Sequence, residues 1–161
     1  MKMYVLIFSG CIGLLLTSTF CFSDRQAKLA RDILGKWSSH KMKVVFQGRH
    51  GGLGVDSLDV QRADWEKETQ GKPIITAFKA DNTYESWYYD VSGQVLLRNP
   101  GGTWTIRKDT IIMTQLNPSG GPTFRLHMAR QKELLYFSGV MDFDLDGQSD
   151  DHYQGWMQRE P

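Results

Sequence analysis

Asp142, Asp144, Asp146 and Asp150 occupy positions 1, 3, 5 and 9 of the run Asp142-Phe143-Asp144-Leu145-Asp146-Gly147-Gln148-Ser149-Asp150, with glycine at position 6. Calcium is a hard ion that takes about six to eight oxygen ligands. Alternate carboxylates converge on one point only where the backbone turns sharply, and Gly147 permits that turn. The carbonyl of Gln148 would supply a further oxygen. The expected ligands are therefore Asp142, Asp144, Asp146, Gln148 and Asp150, with Asp151 either a supporting ligand or an exposed charge. Like charges this close repel one another without a counter-ion. The plainer alternative is a solvated acidic turn that binds nothing specifically. A bound ion here would stiffen a hairpin rather than catalyse.

The segments on either side, Glu133–Met141 and His152–Arg159, read as strands, and position 12 holds Tyr153 where an EF-hand places a bidentate glutamate. The spacing instead resembles the Asp-x-Asp-x-Asp-Gly-x-x-Asp loops in β-hairpins of integrin-type propeller repeats, in this one loop only. Other catalytic arrangements are absent. The four histidines, His40, His50, His127 and His152, include no pair at helical ligand spacing, and Ser38-Ser39-His40 is not a triad signature. The Gly48–Gly54 cluster lacks the Lys-Ser/Thr of a phosphate loop. An enzyme is unsupported; a hydrolase or isomerase would need His40, His50 or His127 inside a pocket beside a carboxylate.

The remaining charge is balanced. Lys plus Arg is 19 and Asp plus Glu is 18 over 161 residues. Residues 1–23 carry one charge, Lys2, and both cysteines, Cys11 and Cys21. Their charged start, apolar run from Met3 to Leu16 and small residues before Asp24 have the form of a secretory signal peptide. The apolar core is shorter than the roughly 20 residues that span a bilayer. Export to the periplasm or medium is expected, with 24–161 as a single domain. Membrane attachment would require lipidation at Cys21. Without residues 1–23 the chain has 18 basic and 18 acidic side chains and no cysteine. That excludes a basic footprint for nucleic acid, a thiol nucleophile, a thiolate metal site and a disulfide framework.

Asp24–Leu34 reads as a short amphipathic N-terminal helix, with Ala27, Leu29, Ala30, Ile33 and Leu34 at helical spacing and Gly35 as its stop. After Gly35 short β-rich segments alternate with turn residues. The expected strands are Lys36–Gln47, Ile74–Lys79, Tyr84–Asp90, Gln94–Arg98, Thr103–Arg107, Thr110–Leu116, Thr123–Ala129, Glu133–Met141 and His152–Arg159. Asn99-Pro100-Gly101-Gly102 and the Asn117–Pro122 run read as breaks between strands. Tight successive connections imply an all-β, antiparallel up-and-down barrel of about eight strands. The Gly48–Lys72 stretch is long for a connection, and a short helix near Asp64–Thr69 is expected within it.

Ile33-Leu34-Gly35-Lys36-Trp37 places a Gly-x-Trp after a short helix at the start of the first strand. This resembles the opening of lipocalins and of bacterial lipocalin-like families. Phe78-Lys79-Ala80-Asp81-Asn82-Thr83-Tyr84 is similar to their early hairpin, and Gly102-Thr103-Trp104-Thr105-Ile106 with Asp109-Thr110-Ile111-Ile112 to a later strand pair. The resemblance implies a barrel open at one end, the long first connection as its flap, and a small, mainly apolar ligand in the lumen. The chain departs from lipocalins in lacking the disulfide and the C-terminal helix. The aromatic side chains expected to line such a lumen are Trp37, Tyr84, Trp87, Tyr88, Trp104 and Phe124. The competing expectation is a filled barrel: a calcium-stabilised structural or interaction module of the cell envelope with no small-molecule ligand.

Overall fold

The structure, a computed structural model, describes residues 24–47, 56–116, 121–144 and 146–161, with backbone alone for 96–100. The signal-peptide and lipidation expectations for residues 1–23, and His50 with the glycine cluster, lie outside the described residues.

Helix α1 (Asp24–Asp32) precedes strand β1 (Gly35–Val45). Between them Gly35 takes the left-handed backbone, φ +117°, which glycine adopts without a steric penalty. Strand β2 (Ser57–Gln61), a 3-10 turn (Arg62–Asp64) and helix α2 (Trp65–Thr69) follow. The remaining strands are β3 (Ile75–Phe78), β4 (Thr83–Tyr89), β5 (Val95–Arg107), β6 (Thr110–Gln115), β7 (Thr123–Gln131), β8 (Leu134–Met141) and β9 (Asp151–Arg159).

From β3 to β9 each strand pairs antiparallel with the next, and β9 pairs back onto β1 from Trp37↔Arg159 to Val45↔His152. The other edge of β1 is shared. Its first half pairs with β3 and its second half with β2. The result is a closed antiparallel barrel of eight strands, with β2 appended to the second half of β1. Closure leaves the main ring without a free edge.

Two sequence expectations are corrected. Asn99–Gly102 does not separate two strands. It lies inside β5 as a bulge, where Tyr84 and Ser86 of β4 face Gly102 and Asn99. Gly101 takes φ +88°, and a side chain there would meet the Tyr84 carbonyl; one at Gly102 would meet the Thr114 carbonyl and the Tyr84 ring. The glycines serve close backbone approach within a strand rather than a turn. The second correction concerns the first connection. Its described part holds the expected short helix, as α2, and also a strand, β2, that the sequence reading left out, both packed against the barrel. Trp65 of α2 is buried with Met42, Val44, Phe46 and Val60.

The barrel's two ends differ. At the α1 end, Leu29 and Ile33 join Trp37, Phe78, Tyr84, Trp104, Ile106, Ile111, Leu126, Met128, Leu135 and Phe137 in the main core. Specific bonds seat the helix there. The Trp37 indole N–H donates to the Ile33 carbonyl (2.7 Å), Gln26 Nε2 to the Ile106 carbonyl (2.7 Å) and Arg159 Nη2 to the Leu34 carbonyl (2.7 Å). The guanidinium groups of Arg130 and Arg159 lie 5.4 and 5.5 Å from the Trp37 ring, a cation–π arrangement that closes this end.

Candidate functional site

Strand register decides which side chains face inward, because directly paired residues share a face. Following the pairs around the barrel gives inward positions at Trp37, Thr76, Phe78, Tyr84, Ser86 and Tyr88, then at Trp104, Met113 and Gln115. The series continues through Phe124, Leu126, Met128, Leu135, Phe137, Gly139 and Met141 to Asp151, Tyr153, Gly155 and Met157.

These positions fall into two regimes. Towards α1 they are buried: Trp37, Ile111, Met128 and Leu135 have no exposed surface. Towards the other end, on the β4–β9 side, Tyr88, Met113, Gln115, Phe124, Met141 and Tyr153 face inward yet are only partly buried. An inward side chain that stays partly exposed borders a space reached from solvent. The interior is therefore packed at the α1 end and only partly covered on the β4–β9 side of the other, where Met42, Val44, Phe46, Val60 and Trp65 form a second buried cluster.

The aromatic residues expected to line the lumen are distributed accordingly. Trp37, Tyr84 and Trp104 belong to the packed half, where they contribute core. Phe124 is packed against that core but partly exposed, and Tyr88 is inward and half-buried. Trp87 pairs with Ile75 on the opposite, outer face of β4 and does not reach the interior. Alternation along β4 puts Tyr84, Ser86 and Tyr88 on one face and Trp87 on the other, so this separation is legible in the sequence once the strand is placed. Met113, Met141 and Tyr153 also face inward, although they are not among the expected lining residues. Their signal is their parity with the core residues of β6, β8 and β9.

Burial raises the phenol pKa of Tyr88 above its ordinary value, and that of Tyr84, with a smaller contribution from Tyr88. Burial likewise pushes the Tyr153 phenol up to about 12, again with Tyr88 adding to it. The Tyr153 ring folds back over Gly155, where an added Cβ would collide with the phenol.

The acidic loop between β8 and β9 closes the β1 side of the open end. Phe143 turns inward, stacked on Tyr153 (6.3 Å, 17° between planes) and tilted against Phe46 (6.2 Å). Asp151 is fully buried and holds the loop from beneath. Its Oδ2 accepts from the backbone N–H groups of Phe143 (2.8 Å) and Asp144 (3.2 Å), and its Oδ1 from that of Gln47 (3.1 Å). The loop's own carboxylates accept from backbone groups within it. Asp146 N–H donates to Asp144 Oδ1 (3.2 Å), Gly147 N–H to Asp142 Oδ2 (3.1 Å) and Gln148 N–H to Asp146 Oδ1 (2.7 Å). Gly147, at φ +93°, makes the sharp turn its position in the sequence requires.

One oxygen each from Asp142, Asp144 and Asp151 lie within 4.8 Å of one another. Calcium ligands at about 2.3–2.6 Å from the ion stand no more than roughly twice that distance apart, so the three oxygens fit one coordination sphere. Asp142 Oδ1 is buried without any hydrogen-bond partner, an acceptor removed from water and given no donor. Of the five expected ligands the structure gathers Asp142 and Asp144 and adds Asp151. Asp146 and Gln148 are exposed, and neither they nor Asp150 belongs to the group. Desolvation, then the charges of Asp146, Asp151 and Asp144, raise the Asp150 carboxyl above its ordinary value.

The described histidines assemble no catalytic pair. His127 lies 3.5 Å from Asp109 on the outer surface, both half-exposed. His40 sits at the β1 irregularity opposite β9, its Nδ1 buried without a partner. Two clefts of about 300 and 290 Å³ are also present on the outer wall. One is lined by Arg62, Lys72, Tyr89 and Glu160 among others, the second by Tyr136, Val140, His152 and Gln154 among others. No described helix is long and apolar enough to cross a membrane. Among family models none matches this chain, and no curated protein matches it in sequence.

Proposed function

We propose that this chain is an exported, lipocalin-like carrier that holds a small, mainly apolar molecule in the open half of its barrel. The observation that carries the reading is the partial exposure of inward-facing Tyr88, Met113, Phe124, Met141 and Tyr153 above a sealed floor. Apolar surface left open to water gains about 25 cal/mol for each Å² that a ligand covers. The signal-peptide form of residues 1–23 supports export. The helix, the Gly-x-Trp opening and the closed meander support the lipocalin-like assignment.

Nile red, a neutral apolar dye, tests the carrier reading. It should bind saturably at one molecule per chain with enhanced fluorescence, and Met141→Trp, which puts a larger side chain into that half, should abolish that binding. A chain that binds no dye is the filled-barrel module instead.

Calcium at Asp142, Asp144 and Asp151 is the second element of the reading, favoured by the shielded, unpaired Asp142 Oδ1. Its role is to neutralise the loop and hold Phe143 in place. A ligand that binds only the folded chain stabilises it by about 2.7 kcal/mol at a hundredfold excess over Kd. Melting with millimolar calcium should therefore occur several degrees higher than with chelator. Coincident melts would leave the plain acidic turn.

A further inference from the structure

Strand β1 shares one edge between two partners, and the outer wall opens where they part. Ser38 pairs with Ile75 of β3, whereas the pairing with β2 starts at Lys41↔Gln61. Arg62, the residue after β2, stands at this fork. Its Nη1 donates to the Ser39 carbonyl (2.7 Å) and to the hydroxyl of buried Ser38 (3.2 Å), which fixes the guanidinium beside the gap. The cleft of about 300 Å³ lies here, with Ser38, Arg62, Lys72, Ile75, Tyr89 and Glu160 among its walls.

Two further charges are held at the same cleft. Lys72 donates its backbone N–H to the Tyr89 carbonyl (2.9 Å), and its ammonium lies over the turn at Gly93, where an added Cβ would stand 3.3 Å from Nζ. Glu160 is tied by its backbone N–H to the Lys36 carbonyl (2.9 Å). Both side chains are only partly exposed, and neither makes an ion pair or hydrogen bond with a described residue. A charge drawn out of water without a partner loses hydration and gains nothing in return.

The cleft's own groups define what restores that balance. Arg62 and Lys72 against Glu160 leave one positive charge in its walls. A monoanion matches it, whereas a phosphate dianion overshoots and meets the Glu160 carboxylate. The Arg62 bonds use Nη1, so the Nε and Nη2 donors remain for a planar carboxylate. Pro73, Ile75 and the Tyr89 ring supply apolar wall for an organic body, and the volume stands at the lower end of small-molecule pockets. We propose that this cleft binds a small organic monocarboxylate, at a site on the outer wall separate from the barrel interior and independent of the carrier reading.

Three probes separate the terms: 3-phenylpropanoate, its neutral amide 3-phenylpropanamide, and inorganic phosphate. In a nuclear magnetic resonance titration of the mature chain, 3-phenylpropanoate should move the amide signals of Lys72, Gly93 and Glu160 saturably. The amide and phosphate should each bind at least fivefold more weakly. Lys72→Gln should weaken the carboxylate about two- to fivefold, the range of one solvent-screened charge pair, and leave the amide unchanged. Glu160→Gln should tighten the carboxylate. Unaltered melting of both variants without probe confirms that the fold is kept, and Arg62, which also braces the fork, is left in place. Equal binding of acid and amide, tighter binding of phosphate, or indifference to Lys72→Gln overturns the proposal. So does a loss of carboxylate binding on Glu160→Gln, or a titration that moves only signals of the barrel interior or none at all.

Discussion

Single side chains fix the open end of this barrel, and Asp151 and Asp142 do opposite things there. Asp151 is buried and matched to three backbone donors, whereas Asp142 keeps a shielded oxygen with no donor. Charge-assisted hydrogen bonds contribute about 1.5–3 kcal/mol. Asp151→Asn should therefore destabilise the chain by about 2–3 kcal/mol in chemical denaturation, with calcium or without. Asp142→Asn should instead leave the calcium-free chain as stable or slightly more so, by relieving repulsion, and remove any calcium-dependent rise in melting temperature. Tyr153 adds a pH signature. Its phenol pKa is raised from an ordinary value of 10 to about 12, so the folded chain holds that proton more tightly than the unfolded chain does. The associated stability is complete below pH 10 and is lost as pH rises towards 12. Urea midpoints measured across that window should fall with rising pH, and Tyr153→Phe should flatten the part of the fall due to this group.

At the level of elements, α1 acts as a stopper and β5 as a strand that survives its own glycines. Ile33 has no exposed surface against the barrel end, and replacing a fully buried isoleucine by alanine costs about 2–5 kcal/mol. Ile33→Ala should lower stability by that amount in denaturant titrations, and hydrogen exchange should show earlier opening of 24–34. Gly102→Ala would push a methyl group into the Thr114 carbonyl and the Tyr84 ring. Its expected effect is a loss of at least 2 kcal/mol in the same titration. Much of this was readable in the sequence. Helical spacing before Gly35 marked α1, and period-two alternation with turn residues marked the barrel strands. Asn99–Gly102 reads as a break because Gly and Pro signal turns locally, while their use in close strand approach depends on β4 and β6. Strand β2 is not legible in the sequence for a related reason. Its five residues, Ser57–Gln61, gain their place by pairing with the far half of β1, a partner distant in the chain. The acidic loop announced itself by spacing, yet Asp151 entered its core through burial at the start of β9, which no local pattern encodes.

The whole molecule is polarised along the barrel axis. At the α1 end the connections carry Asp81, Lys108, Asp109, Lys132 and Glu133, with Asn82, Lys108 and Lys132 turning through positive φ. Among the described residues the exposed large apolar side chains, Val91, Val95, Leu116 and Val140, lie at the opposite end, in or beside its connections. The proposed carrier reading takes the packed α1 end as a floor and the partly exposed inward side chains of the other end as a receptacle, against the alternative of a filled barrel. Native mass spectrometry of the mature chain incubated with Nile red tests that account most directly. It predicts one dye molecule retained per wild-type chain and none on Met141→Trp at unchanged melting temperature. A bare wild-type chain, or equal retention by the occluded variant, would contradict it.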